Sequence, residues 1–181
     1  MRGEFFSLSE MFAGLTVEEA RRRAREIMEQ GEMIYCPSST AEIQKCIMLV
    51  SAGLVTEIEE IHFGDIDMSE VTIQQINILL SVVTRVVELS SDIKLSASQT
   101  AAVFSSMSRL SDGIFLRSGV EIDVAAATEA LRGITGRVRG ERIMCYGDSV
   151  DKYRQGMGQW AGVLGWRYKD GGNHTVISKE G

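Results

Sequence analysis

A strand–helix rhythm constrains this chain more than any single residue in it. Helix-starting signals fall at Ser69, Ser96 and Asp123, 27 residues apart. A short strand candidate precedes each. In the first, Ile58, Ile61 and Phe63 alternate with Glu59, Glu60 and His62, so one face is apolar. The others are residues 86–89 and 114–116. Two of the turns read alike, Leu89-Ser-Ser-Asp-Ile93-Lys-Leu95 beside Leu116-Arg-Ser-Gly-Val120-Glu-Ile122. A strand–helix unit returning at a fixed period of this length is the mark of a solenoid, in which each unit buries its apolar face against its neighbours. An ordinary βα layer with accidental regularity gives the same spacing and stays open as an alternative. Either way the expected class is α/β, with about six helices alternating with parallel strands.

Local signals fill in the units. Residues 1–15 are a loose lead-in. Thr16-Val17-Glu18-Glu19 has the form of a capping box, in which a Thr side chain and a Glu three residues on satisfy free backbone N–H groups. It predicts a helix to Gln30 that stops at Gly31. Arg21, Arg22, Arg23 and Arg25 within it stand among glutamates, the pattern of a solvated face with i,i+4 pairs. A strand at 33–36 ends at Pro37, the only proline. Ser39-Thr40-Ala41-Glu42 opens a helix with Ile43, Cys46, Ile47 and Val50 on one side, and Ser96-Ala97-Ser98-Gln99 repeats the box. Cys36, followed by serines at a helix start, has two readings, an activated thiol or an ordinary buried cysteine.

Composition excludes some functions. With 44% hydrophobic and 24% charged residues, the 181-residue chain has the material for a core. A net charge of −6 argues against general nucleic-acid binding. Cys36, Cys46 and Cys145 form no disulfide or metal framework, and His62 and His174 are the only histidines. No metal or other cofactor is expected. The cysteines suggest a reducing, cytoplasmic setting, and no run approaches the roughly 18 apolar residues of a membrane span.

Residues 32–137 resemble the ribonuclease-inhibitor type of leucine-rich repeat. Ile58-x-x-Ile61-x-Phe63-x-x-Ile66 follows its Leu-x-x-Leu-x-Leu spacing, although most leucines are replaced and the usual turn Asn or Cys is absent. The resemblance implies a protein-interaction module whose strands line a concave face. The residues expected to point there are Glu60 and His62, Glu88 and Ser90, Phe115 and Arg117, then Arg142, Met144 and Tyr146. That face runs from acidic to basic. Residues 54–95 hold eight acids against two basic residues, and residues 132–181 nine basic residues against five acids. Such asymmetry suits a protein contact, intramolecular or homotypic.

The end of the chain carries a second motif. Ile143, Met144, Cys145 and Tyr146 suit a buried strand, which Gly147-Asp148-Ser149 ends before a helix-compatible stretch. The stretch 141–181 resembles the first block of the SGNH (GDSL-type) hydrolases, esterases and lipases of flavodoxin-like fold. Trp160-Ala161-Gly162-Val163-Leu164 is similar to the Trp-x-x-x-Leu of that family's first helix, and residues 174–181 to its second strand. The resemblance implies an incomplete βαβ start, with Ser149 at the nucleophile position and Asp148 supporting the turn. An ester substrate then requires further sequence, because the oxyanion Gly and Asn and the Asp-x-x-His pair have no match. This chain alone is expected not to turn over esters. As an alternative, Gly-Asp-Ser is one more repeat turn with Ser149 as helix N-cap, since Ser149 lies 26 residues after Asp123. Exposure of Met144 and Tyr146 would favour the solenoid, and burial of Met144 the hydrolase start. Gly-Arg-Val-Arg-Gly, 136–140, marks a boundary between a repeat-like region at 16–136 and the segment 141–181. Two strands and one helix cannot cover their own apolar surface, so strand 142–146 is expected to dock beside 114–116.

Overall fold

The computed structural model describes residues 5–6, 14–16, 18–20, 22–23, 26 and 34–179. The expected first helix falls mostly outside them, but its cap is seen, with Glu19 N–H donating to Thr16 Oγ1 at 3.2 Å. Strands β1 (Phe5–Phe6), β2 (Ile34–Tyr35), β3 (Ile58–Gly64), β4 (Val83–Ser90), β5 (Gly113–Leu116) and β6 (Arg142–Tyr146) lie side by side in chain order, all parallel. Between them run α1 (Thr40–Ser51), α2 (Ile73–Leu80), α3 (Ala97–Ser105) and α4 (Val124–Ile134). After β6 come α5 (Ser149–Lys152), α6 (Arg154–Leu164), β7 (Arg167–Gly171) and β8 (His174–Ser178). The chain is therefore α/β, and its described residues form one eight-stranded sheet with interleaved helices.

Strands added in chain order by crossovers of one hand leave every helix on the same side. Successive helices accordingly pack on one another as a layer, α1 on α2, α2 on α3, α3 on α4 and α4 on α6. The other face of the sheet has no described helix on it. Strand parity writes the same division into the sequence. Tyr35, Ile61, Val87, Ile114, Ile143 and Ile177 stand in one cross-sheet row facing the helices, and none has any exposed surface. Along the chain the parallel members of that row are 26, 26, 27 and 29 residues apart. The rhythm belongs to the sheet, because a slipped strand would put its apolar set on the wrong face.

Helix starts are looser. The caps are Ser39, Thr72, Ser96 and Asp123. Thr72 corrects the expected start at Ser69, because Thr72 forms a full capping box with Gln75. The two similar turns stack in register: Leu95 N–H donates to Glu121 O and Glu121 N–H to Ile93 O, both at 2.9 Å.

Strand β6 pairs with β5, Ile114 opposite Ile143, so residues 136–140 connect parts of a continuous sheet. Arg139 and Gly140 N–H groups both donate to Met107 O there. The rest of the segment departs from a βαβ start. Residues 174–178 run antiparallel to β6, and β7 forms a hairpin with them. Helix α6 ends at Leu164 on Gly165, whose φ of 69° turns the chain back, so that β7 runs parallel to β6 one place out; the turn at Gly171–Gly172–Asn173 then sends β8 between them, antiparallel to both. The edge strand β7 is charged and exposed, which blunts pairing with other sheets. Trp160 of α6 has no exposed surface; its ring lies 4.9 Å from Phe104 and its indole N–H donates to Thr128 Oγ1 at 3.0 Å. The segment 141–179 thus covers α3 and α4.

Candidate functional site

Gly147-Asp148-Ser149 sits on the preceding repeat turn, residues 117–119. Ser149 Oγ donates to Arg117 O at 2.6 Å, Asp148 N–H to Ser118 Oγ at 3.3 Å, and Gly119 N–H to an Asp148 carboxylate oxygen at 2.9 Å. Three hydrogen bonds made by Asp148 and Ser149 therefore fasten one turn to the next. Gly147 has a φ of 60°, and a Cβ there would stand 1.9 Å from Ser118 Oγ, so position and conformation both demand glycine. Ser149 is 0% exposed. It is the first residue of α5 and not its N-cap; the cap is Asp148, with no side-chain capping bond. The Ser149 hydroxyl thus has no accessible surface and already donates to a carbonyl. Neither histidine is hydrogen-bonded to Ser149, whose hydroxyl donates to Arg117 O. His62 is three strands from β6, on the order of 14 Å across the sheet. His174, opposite Tyr146, packs its ring on that tyrosine.

The cleft beside the neighbouring turns and the thiols offer no more. A cleft of about 320 Å³ between the turns after β3 and β4 is lined by Ile66, Met68, Asp92, Lys94 and Gln99. Its most buried polar group, the Gln99 amide, already donates to Met68 O and Val71 O. Burial pushes the Cys46 and Cys145 thiols up to about 12. Cys36 is exposed and not buried as expected, yet desolvation and the charges of Glu42 and Glu88 also raise its thiol. None of the three has thiolate character at neutral pH. In addition, strands β1 to β6 follow chain order, without the reversal point at which open α/β sheets form ligand crevices.

The open face of the sheet is different. Its middle row is His62, Glu88, Phe115, Met144, Val176 and Lys169; the row beside it is Glu60, Val86, Gly113, Arg142, Ser178 and Arg167. Charges here are organised across strands. Both ring nitrogens of His62 face carboxylates, Nε2 to Glu60 at 2.9 Å and Nδ1 to Glu88 at 2.6 Å. Arg85 pairs with Glu60, and Arg117 with Glu88. Glu88 is 9% exposed; burial acts to raise its carboxyl, but hydrogen bonds and charge from His62 and Arg117 outweigh it and hold it below the usual range. Toward β6 the contacts become aromatic. The Arg117 guanidinium lies 4.4 Å from the centre of the Tyr146 ring and that of Arg142 5.0 Å from Phe115, while Arg142 also pairs with Asp112 at 2.8 Å.

Met144 lies on this face yet is only 8% exposed. Its cover comes from neighbours in the same strand, Arg142 Nη1 at 3.5 Å and Tyr146 Oη at 3.4 Å from the sulfur. Burial of Met144 therefore does not require a second helix layer, and the expected contrast between an exposed and a covered methionine does not separate the two architectures. Parity in the sequence places nine residues on this face but carries no signal for Val176, Arg167 and Lys169, which arrive through the antiparallel hairpin. No family model, curated protein or solved structure matches the chain.

Proposed function

We propose that this chain is a protein-interaction module of leucine-rich-repeat-like build, which binds its partner on the open face of the sheet. The carrying observation is the cluster of Phe115, Met144 and Tyr146 framed by Arg117 and Arg142, on a face that no described element covers. Aromatic and arginine side chains on a rigid sheet are the composition of interface hot spots. No described helix is long and apolar enough to cross a membrane. Three unpaired cysteines fit a reducing, cytoplasmic compartment. The alternative is a rearranged relative of the GDSL-type ester hydrolases, with Ser149 and Asp148 in the family's positions. Burial of Ser149 and its bond to Arg117 O support the turn-fastening role over ester turnover.

The reading is tested by panning an unbiased displayed peptide library against the folded protein. Selected peptides should lose binding to Phe115→Glu and Met144→Glu, with melting temperature recorded for each variant, and should shift backbone amide resonances of β5, β6 and β8. Peptides that bind these folded variants as well as the parent, or Ser149-dependent turnover of p-nitrophenyl acetate, would sink it.

A further inference from the structure

The two ends of the open face differ in what they leave unsatisfied. At the β3–β4 end every acid of the face is already engaged within the chain: Glu60 by Arg85 and His62, Glu88 by His62 and Arg117. A cationic partner would have to displace those contacts. At the β7 end Arg167 and Lys169 are exposed, and among the described residues neither side chain has a hydrogen bond or an acidic partner. Arg167 shares a row with Arg142, and Lys169 shares one with Val176, Met144 and Phe115. Unpaired positive charge thus borders an apolar strip.

We propose that the partner bound by the open face is an acidic protein segment in extended form, seated along Phe115, Met144 and Val176 and held by Arg167 and Lys169. This rests on the interaction reading above and adds the chemistry of the partner. A segment that crosses the strands along Phe115, Met144 and Val176 reaches Lys169 at the end of that row, with Arg167 about 7 Å away in the next row, so its acidic end meets two cations. His174, beside Tyr146 on the next strand, adds a third polar contact to the rim. Other occupants fit less well. A second copy would offer its own acidic end, whose carboxylates already hold partners. A single-stranded nucleic acid would need free aromatic faces for stacking, but Arg142 lies over Phe115 and Arg117 over Tyr146. The net charge of −6 also opposes a long polyanion.

The test uses three fluorescein-labelled probes: a ten-residue peptide with Glu at alternate positions around a central Leu, the same peptide with Lys for Glu, and decauridylate. The acidic peptide should bind, with affinity falling as salt rises. The R167E/K169E variant should weaken it about tenfold, and the matched charge change K45E/K94E, away from the strip, should leave it within about twofold. Equal or tighter binding of the lysine peptide or of decauridylate overturns the proposal. So does an equal effect of the two double variants, or a dimer in sedimentation that R167E/K169E dissociates. If the acidic peptide fails while library-selected peptides still depend on Phe115 and Met144, only the partner chemistry falls. If neither depends on the open face, the interaction reading falls with it.

Discussion

The two sides of the sheet are built from the same strands and solve opposite problems. On the helix side, Ile61, Val87, Ile114 and Ile143 form a dry ladder, and each repeat is completed by the next. On the open side, their immediate neighbours His62, Glu88, Phe115 and Met144 form a ladder of ion pairs and ring contacts. Burial makes the first side a source of stability, since each fully buried aliphatic contributes roughly 1.5–3 kcal/mol. Partly solvated ion pairs contribute far less, so the open side is free to change for recognition. The difference teaches that stability and binding are separable here by strand parity, and substitutions can test that separation.

The harshest test removes the C-terminal segment. A chain ending at residue 137 loses Trp160 from the Phe104 and Thr128 contacts and leaves β5 as an open edge. Expected results are aggregation, or a loosened protein with broadened amide resonances. A monomer that melts as the full chain does would mean that the helix side is complete without residues 138–181. A single substitution sharpens the point. Trp160→Ala should destabilise by about 3–5 kcal/mol in denaturant titration, the range for emptying a large aromatic site, while binding at the open face survives in whatever fraction remains folded.

Turns join the two sides. Gly147→Ala puts a Cβ against Ser118 Oγ and strains a φ of 60°, so a loss of about 1–3 kcal/mol is expected. Ser149→Ala should cost less, about 1–2 kcal/mol, because it leaves Arg117 O without its hydroxyl partner. Thermal melts rank the two. Ester hydrolysis should stay at solvent background in both the parent and Ser149→Ala, which would fix Ser149 as a structural residue.

Much of this division is legible in the amino-acid sequence. Parity alone assigns Glu60, His62, Glu88, Phe115, Arg142, Met144 and Tyr146 to one face, because the alternation of a strand is local information. Side-chain caps at Thr16, Ser39 and Ser96 stand in the right places because their hydrogen bonds span only three residues, and at Ser96 the box is complete. Ser69 misleads because Thr72 lies close behind it with a glutamine at the right spacing. The direction of residues 174–178 is not legible, since parallel and antiparallel strands share the same alternation and only the tight turn at Gly171–Gly172–Asn173 decides between them. Burial of Ser149 is hidden for a similar reason. Its partner is the backbone of Arg117, 32 residues away, and a carbonyl leaves no mark in the sequence.

The mildest test stays on the open face and uses pH. Glu88 is held below the usual carboxylate range in the folded chain by His62 and Arg117, against the opposing effect of burial. A depressed folded value means that the ionised form binds its surroundings better when folded. The stabilisation is therefore fully present above the ordinary glutamate value of 4.5 and is lost as pH falls through the lower folded value. Glu88→Gln removes that titration. Its denaturant midpoint should lie below that of the parent at pH 6 and converge with it as pH is lowered toward about 3. The other ion pairs of this face, Glu60 with Arg85 and Asp112 with Arg142, are present in both proteins and cancel in the difference. A gap that stays constant across that range would show that Glu88 acts by shape alone. The charge ladder of the open side would then contribute nothing measurable to stability, a sharper separation of the two faces than the structure implies.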